Sequence, residues 1–320
     1  MHAICTDAYG APEVLSLQEI PTPSLAPGEY LVKVEASSVN PVDWKVRRGE
    51  VRMFSGLISP PRVLGADFSG KVVTCGPGTR DFKPGDEVFG MVRAFKGGAY
   101  AEYVKVTSQN IARKPSNLSF EEAAAFPLVG LTVYQGLVER MTLAKGNQVL
   151  VNGCCGGVGH IAVQMAKLLG AEVTGVCSAE NTELARRFGA AQVIDYRSRD
   201  ITAEKGRYDI FFDAVNNHSF RSARTTLTPK GTYITTMPAF NNLVIAPMLN
   251  HLRAQQHLSL WVKPNRQALE AMTGWIESGK LRPYVSHRFP MKAIAEAHQL
   301  SESGRVSGKI VLQGINAETR

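Results

Sequence analysis

Gln148-Val149-Leu150-Val151-Asn152-Gly153-Cys154-Cys155-Gly156-Gly157-Val158-Gly159-His160 runs directly into Ile161-Ala162-Val163-Gln164-Met165-Ala166-Lys167-Leu168-Leu169-Gly170. A short apolar run containing β-branched residues, a glycine cluster, and apolar residues at helical spacing (Val158, Ala162, Met165, Leu169) predict strand, tight turn and helix. With no side chain at Gly156, Gly157 or Gly159, a diphosphate can come within hydrogen-bonding distance of the backbone. The first turn of the helix adds unpaired N–H groups and partial positive charge. The fingerprint G-x-G-x-x-G is met imperfectly: Cys154 takes its first position, and the glycines instead follow Gly153-x-x-Gly156-x-x-Gly159. On the motif alone, an ordinary glycine-rich turn stays open as the alternative.

The surroundings favour the nucleotide reading. A second strand (Glu172 to Val176), a polar turn and a helix carrying Leu184, Ala185 and Phe188 follow, then apolar runs at Gln192 to Asp195, Asp209 to Val215, Gly231 to Met237 and His257 to Val262. Strands alternating with helices predict an α/β fold with a doubly wound parallel sheet.

A chain of 320 residues suits two domains, and 44% apolar with 20% charged residues describes an ordinary globular protein. No apolar run reaches the roughly 20 residues of a membrane span. Met1-His2-Ala3-Ile4-Cys5 enters a predicted strand at once, leaving no room for a signal or transit peptide, so a cytoplasmic protein is expected. Cys5, Cys75, Cys154, Cys155 and Cys177 form no C-x-x-C pair, which speaks against a disulfide framework and a structural zinc site. In the turn, small size explains Cys154 and Cys155 better than redox chemistry does. The net charge of +8 fits anionic ligands, but Lys and Arg form no run of five, which disfavours a dedicated nucleic-acid surface.

Residues 1 to about 117 read as a β-rich, glycine-punctuated, barrel-like unit, with runs at Tyr30 to Val39, Phe68 to Thr74, Glu87 to Val92 and Ala99 to Val106. After Lys114-Pro115-Ser116-Asn117, Ser119 and Glu122 make a capping box for a helix, and a second helix is expected over Val129 to Arg140. The nucleotide unit takes residues 121–262. Helices over Asn265 to Ser278 and Lys292 to Ser301 then lead to a strand, Lys309 to Leu312, that returns to the first domain.

An NAD site carries an acid about 20 residues beyond the glycines. Here Val176-Cys177-Ser178 offers none. Ser178 can donate to a 2′-phosphate, and Arg186, Arg187 or Arg197 can supply charge-assisted bonds, so NADPH is preferred over NADH. Ser178 could equally cap a helix, and Glu180 nearby counts against the phosphate.

Several motifs together give the chain its identity: Asn40-Pro41-Val42-Asp43-Trp44-Lys45, Gly65-Ala66-Asp67-Phe68-Ser69-Gly70, Gly85-Asp86-Glu87-Val88-Phe89-Gly90, Gly130-Leu131-Thr132-Val133-Tyr134, the glycine turn, Ile194-Asp195-Tyr196, and Gly308-Lys309-Ile310-Val311-Leu312. In this order the chain resembles the medium-chain dehydrogenase/reductase superfamily, in its zinc-free quinone oxidoreductase branch (enone and chloroplast-envelope quinone oxidoreductase-like subgroup). The resemblance implies a Rossmann domain (121–262) inserted into a GroES-like β-barrel catalytic domain (1–120 and 263–320), with bound NADPH and usually a homodimer. Zinc-dependent relatives carry a cysteine at the place of Asn40 and Gly-His-Glu at the place of Gly65-Ala66-Asp67. Without such ligands nothing polarises an alcohol, and no metal is expected. Quinones and conjugated carbonyls accept hydride without one, so the expected substrate is a small apolar electrophile, a quinone or an enone.

The resemblance also places Asn40 and Lys45 near the nicotinamide and its ribose and Thr132 at the nicotinamide end. It puts Gly153, Gly156, Gly157, Val158 and Gly159 on the diphosphate, and Ser178 and Tyr196 at the adenosine phosphate. Lys45 is either proton donor, ribose anchor or a surface lysine; Asp67 pairs with it or, as preferred, caps a turn. Relatives often have lysine at Asn181 and glycine at Asn216-Asn217. Trp44, Phe54, Phe95, Trp261 and Met237 are candidates for an apolar lining. Two other readings stay open: enoyl-thioester reduction, and a zeta-crystallin-like NADPH-binding role with RNA.

Overall fold

A computed structural model describes residues 1–236, 246–251 and 253–315; Met237 lies outside the described residues. The chain divides into two units, one of residues 1–131 with 263–320, the other of residues 132–262.

The first segment supplies β1 (His2–Cys5), β2 (Ser16–Glu19), β3 (Glu29–Val39), β4 (Asp67–Cys75), β5 (Glu87–Met91), β6 (Tyr103–Thr107) and β7 (Ile111–Arg113). The 132–262 unit supplies β8 (Gln148–Asn152), β9 (Glu172–Cys177), β10 (Gln192–Asp195), β11 (Tyr208–Asp213), β12 (Leu227–Thr235) and β13 (Gln256–Ser259). The returning segment adds β14 (Val285–Pro290) and β15 (Lys309–Gln313).

In the 1–131/263–320 unit a sheet runs β14-β15-β3-β4-β5-β7, with β6 also on β3. Strand β3 is long enough to serve two cores. Toward its start Tyr30, Val32 and Val34 pack with Phe68, Val72, Val88 and Ile111. At its end Val39 packs with Ile4, Leu64, Ile310 and Leu312. The C-terminal strand β15 lies antiparallel on β3, Ile310 opposite Val39 and Gln313 opposite Ala36, so the returning segment joins the first unit's sheet.

In the 132–262 unit all six strands are parallel, in the order β10-β9-β8-β11-β12-β13. Counted within the unit this is 3-2-1-4-5-6, the Rossmann order, whose ligands sit beyond the carboxyl ends of the strands. Val149, Leu150 and Val151 are all fully buried, as a strand covered on both faces requires. Leu150, Val176, Phe211 and Tyr233 centre the core.

Two expected elements differ in extent. The helix expected from Val129 begins at Pro127, whose ring suits a first helical position, and after Tyr134 it widens into a π-type turn over Gln135–Glu139. The strand expected from Ala99 begins at Tyr103, because the N–H groups of Ala99 and Tyr100 donate instead to the carbonyls of Gly65 and Leu64.

Ser119 and Glu122 close their capping box on the helix Phe120–Ala124: the Ser119 hydroxyl accepts from the Glu122 N–H at 3.2 Å, and the Glu122 carboxylate from the Ser119 N–H at 3.1 Å. Ser119→Ala removes one acceptor and is expected to lower stability by about 1 kcal/mol. A urea melt showing no shift would mean that water satisfies the freed N–H equally well.

Candidate functional site

Three neighbouring strands bring one polar cluster together. Register sets it: Ser38 lies opposite Asp67 across β3 and β4, and Ile310 opposite Val39 across β15 and β3, which carries Lys309 beside Asn40. All four polar residues are buried. Asn40 donates to Asp67 Oδ2 at 2.9 Å, Ser38 to the same oxygen at 2.9 Å, and the Leu128 N–H to Asp67 Oδ1 at 2.8 Å. The Lys309 ammonium bonds Asn40 Oδ1 and the Val39 carbonyl, and lies 3.6 Å from Asp67 Oδ2. Burial pushes the Asp67 carboxyl up and the Lys309 ammonium down, each opposed by the other's charge. The ion partner of Asp67 is therefore Lys309, not Lys45, and the second oxygen of Asp67 caps the start of the helix Pro127–Tyr134 through the Leu128 N–H.

Asn40 also starts the helix Pro41–Arg48, its N–H donating to Asp43 Oδ2 at 2.8 Å. The side chain of Asn40 is thus left to Asp67 and Lys309. Asp43 continues inward: Tyr100 donates to its Oδ2 at 3.0 Å, and His298 Nε2 lies 3.4 Å from the Tyr100 hydroxyl. Asp43 Oδ1 and His298 Nδ1 have no protein partner among the described residues. Burial raises the Asp43 carboxyl to about 7. Burial likewise, helped by Arg47, lowers the His298 imidazole to about 3.

Lys45 sits half-buried on the same helix with its ammonium 5.5 Å from the centre of the Trp44 ring. Burial lowers its pKa. Phe54 and Phe95 pair at 5.6 Å between ring centres and, with Met53 and Leu57, line an open hollow of about 540 Å³.

In the 132–262 unit the glycine turn is drawn onto β9, with the N–H groups of Gly153 and Cys154 both donating to the Val176 carbonyl at 3.0 and 3.1 Å. A Cβ on Gly159 would meet the Gly153 carbonyl oxygen at 1.9 Å, so no side chain fits where the helix Gly159–Leu168 starts. At Gly156 a Cβ would have only that same oxygen, at 3.4 Å. Among the described residues no backbone carbonyl receives the N–H groups of Gly157 and Val158. A half-exposed turn with free donors at a helix start accepts an anion, and the residues fit a diphosphate.

At the end of β9, Ser178 opens a short turn, its hydroxyl accepting from Asn181 Nδ2 at 3.1 Å. Glu180 is exposed and ion-paired with Arg197 at 2.7 Å; a hydrogen bond from Ser178 heads the causes that hold its carboxyl down to about 2. Arg186 is engaged by Glu183 at 2.7 Å. Tyr196 is 55% exposed beside Arg197, and Thr132 is buried in the helix Pro127–Tyr134. Asn216 adopts φ 64°, the left-handed region in which asparagine is tolerated best after glycine, and its side chain accepts from Thr235 and the Thr236 N–H.

Reading by spacing left out Lys309, Asp43, Tyr100 and His298, all drawn in by pairing across the fold. It also treated the cysteines singly. The sulfurs of Cys154, Cys155 and Cys177 lie within 4.8 Å of one another, and all three residues are buried. Hydrogen bonds from Cys154, then Cys155, hold the Cys177 thiol well below its usual range.

The family model described as Alcohol dehydrogenase GroES-like domain matches residues 26–116, and that described as Zinc-binding dehydrogenase matches residues 188–312. The chain is 32% identical to the chloroplast envelope quinone oxidoreductase homolog of Arabidopsis thaliana over 98% of both chains. It is 34% identical to the chloroplastic NADPH-dependent alkenal/one oxidoreductase of Arabidopsis thaliana, over 96% of this chain and 78% of that protein. The structure of Escherichia coli quinone oxidoreductase complexed with NADPH superposes with a TM-score of 0.84 at 28% identity, over 98% of this chain and all of that one.

The Asp43–Tyr100–His298 network generates a test by pH. A carboxyl raised from 3.8 to about 7 costs stability as pH rises through that range, because the unfolded chain ionises first. An imidazole lowered from 6.5 to about 3 costs stability as pH falls through its own range. Between about pH 4 and 6.5 the two slopes, each about 1.4 kcal/mol per pH unit, oppose one another. Relative to wild type, Asp43→Asn is expected to become more stable as pH rises across this window and His298→Gln less stable. Parallel melting curves for the three proteins would refute the assigned protonation states.

Proposed function

Because the chain belongs to the quinone oxidoreductase branch of the medium-chain dehydrogenase/reductase superfamily, we propose that it is an NADPH-dependent reductase delivering hydride to quinones or α,β-unsaturated carbonyls without a metal ion. The observation that carries the metal-free part is Lys309. Its ammonium already sits on Asn40 and beside Asp67, so that corner of the site holds a cation of the protein's own, and neither Asn40 nor Ala66 offers the thiolate or imidazole that zinc prefers.

When bound, NADPH supplies the hydride. In this reading Gly153, Gly156, Gly157, Val158 and Gly159 hold its diphosphate: the N–H groups of Gly157 and Val158 and the partial charge of the helix start would bind it, and the bare backbone of Gly153, Gly156 and Gly159 lets it come close. Ser178, Tyr196 and Arg197 meet the 2′-phosphate end. Arg197, paired with Glu180 at 2.7 Å, would supply its guanidinium to that phosphate by releasing the carboxylate. Thr132 borders the nicotinamide. Phe54 and Phe95 offer apolar surface, which suits a quinone or an enone better than a sugar or a short alcohol.

The oxygen left after hydride delivery needs hydrogen bonds and a proton. Asn40, fixed by Asp67 and Lys309, keeps the polar wall rigid. Lys45, its pKa lowered by burial, gives up a proton more readily than a free lysine and is the proposed donor. The protein is proposed to work as a homodimer.

NADPH is expected to bind at least several-fold more tightly than NADH in a fluorescence titration; equal dissociation constants would remove the role given to Ser178 and Arg197. Steady-state assays with 1,4-quinones and 2-alkenals are expected to show turnover, and silence toward both classes would sink the activity. Lys45→Ala should lower kcat by roughly 10–100-fold while leaving the NADPH dissociation constant within a few-fold. The reverse pattern would make Lys45 a cofactor anchor.

A further inference from the structure

Hydride transfer leaves one cluster of reactive groups unused. Cys154 and Cys155 sit inside the glycine turn and Cys177 ends β9, one residue before Ser178. Two segments distant in sequence therefore converge three sulfurs on one point, mutually within 4.8 Å, with Cys154 Sγ and Cys155 Sγ 3.9 Å apart. Space for the convergence is built in. A Cβ on Gly175 would lie 2.7 Å from Cys154 Sγ, so this sulfur occupies room that only a glycine on β9 leaves open.

We propose that Cys154, Cys155 and Cys177 form a three-thiolate site for a soft monovalent cation of the copper(I) class, and that its occupancy weakens cofactor binding at the adjoining turn. Geometry favours this class. Three sulfurs each about 2.3 Å from a central ion lie about 4 Å apart, close to the spacing already present. The donor set is all sulfur and, among the described residues, offers no fourth protein ligand, since the grouping contains no histidine or carboxylate. Zinc seeks four ligands, whereas soft thiolates suit copper(I). Each of the three residues is less than a tenth exposed, which shields the ion from water and oxidation.

Coordination is not a redox step. One copper(I) ion and three thiols give a copper trithiolate of net charge −2, and three protons pass to solvent. That charge would form within the turn whose N–H groups face the cofactor's diphosphate. It would also tie the turn to the β9 end that carries Ser178. Like charge and a stiffened turn both act against NADPH. This second half of the proposal rests on the cofactor reading above; the metal site does not.

The test uses the full-length reduced protein, without oxygen, titrated with copper(I) buffered by a chromophoric chelator. One tightly held ion per chain is expected, with X-ray absorption showing three sulfur neighbours at about 2.3 Å. Cys154→Ala and Cys177→Ala should each weaken binding roughly 100-fold, while Cys5→Ala and Cys75→Ala leave it intact. Because a turn variant can misfold, the absorption measurement on the unaltered protein decides independently: two sulfurs, or nitrogen or oxygen neighbours, would overturn the site. So would tighter binding of zinc, or binding that survives both cysteine variants. One equivalent of copper(I) should raise the NADPH dissociation constant roughly 10-fold; an unchanged value would overturn the coupling. If the metal-free protein fails to bind NADPH at all, the cofactor reading falls while the copper measurements still stand.

Discussion

A lysine ammonium and an aspartate carboxylate share the interior of the 1–131/263–320 unit, 3.6 Å apart, and neither can be left there alone. Desolvation costs each ion several kcal/mol, recovered only when the geometry is good and the remaining hydrogen-bonding capacity is filled. Asp67 fills its capacity with Ser38, Asn40 and the Leu128 N–H; Lys309 fills its own with Asn40 and the Val39 carbonyl. A slip of one residue between β15 and β3 would turn Lys309 to the opposite face of the sheet. The charge pair thus selects the register of three strands, and the strands in turn hold Asn40 at a fixed angle. Structure and candidate chemistry depend on the same contact.

The 132–262 unit meets a different constraint, close backbone approach. Only glycine fits at 159, where the helix start nearly touches the Gly153 carbonyl, and that tightness leaves the N–H groups of Gly157 and Val158 without carbonyl partners among the described residues. His160 reinforces the turn from inside, its Nδ1 lying 2.9 Å from the Gly156 carbonyl and its ring against Phe188. Packing, rather than a charged residue, prepares this turn for an anion.

Much of this was legible in the residues. Alternation in β3, the short apolar runs Val149 to Val151 of β8 and Ile210 to Phe212 of β11, and glycine between strand and helix carry their structural meaning locally, and the parallel Rossmann sheet follows from their order. The Ser119–Glu122 capping box is likewise a spacing of three. The counter-ion of Asp67 was not legible, because Lys309 reads as the polar first residue of an apolar strand and reaches Asn40 only through pairing across most of the chain. Lys45 stands closer in sequence as an ion partner, and spacing alone favours a turn cap over either pairing. The cysteines escaped for a related reason: Cys177 meets Cys154 and Cys155 through neighbouring parallel strands, Asn152 of β8 lying opposite Val176 of β9. Buried networks of this kind are set by tertiary register, which no local periodicity encodes.

The pairing of β15 with β3 also has a consequence in time. Some 270 residues separate Val39 from Ile310, so a ribosome adding about 5–20 residues per second emits the closing strand roughly 15–50 s after the strand it must join. The six parallel strands of the 132–262 unit are complete some 50 residues, about 3–10 s, earlier and can assemble as the chain emerges. Meanwhile β3 keeps an unpaired edge, and the carboxylate at its neighbour has no ammonium to face. Newborn chains should accordingly pass through a stage in which the nucleotide-type unit is folded and the barrel-type unit is open, the stage at which a chaperone or a protease would find them.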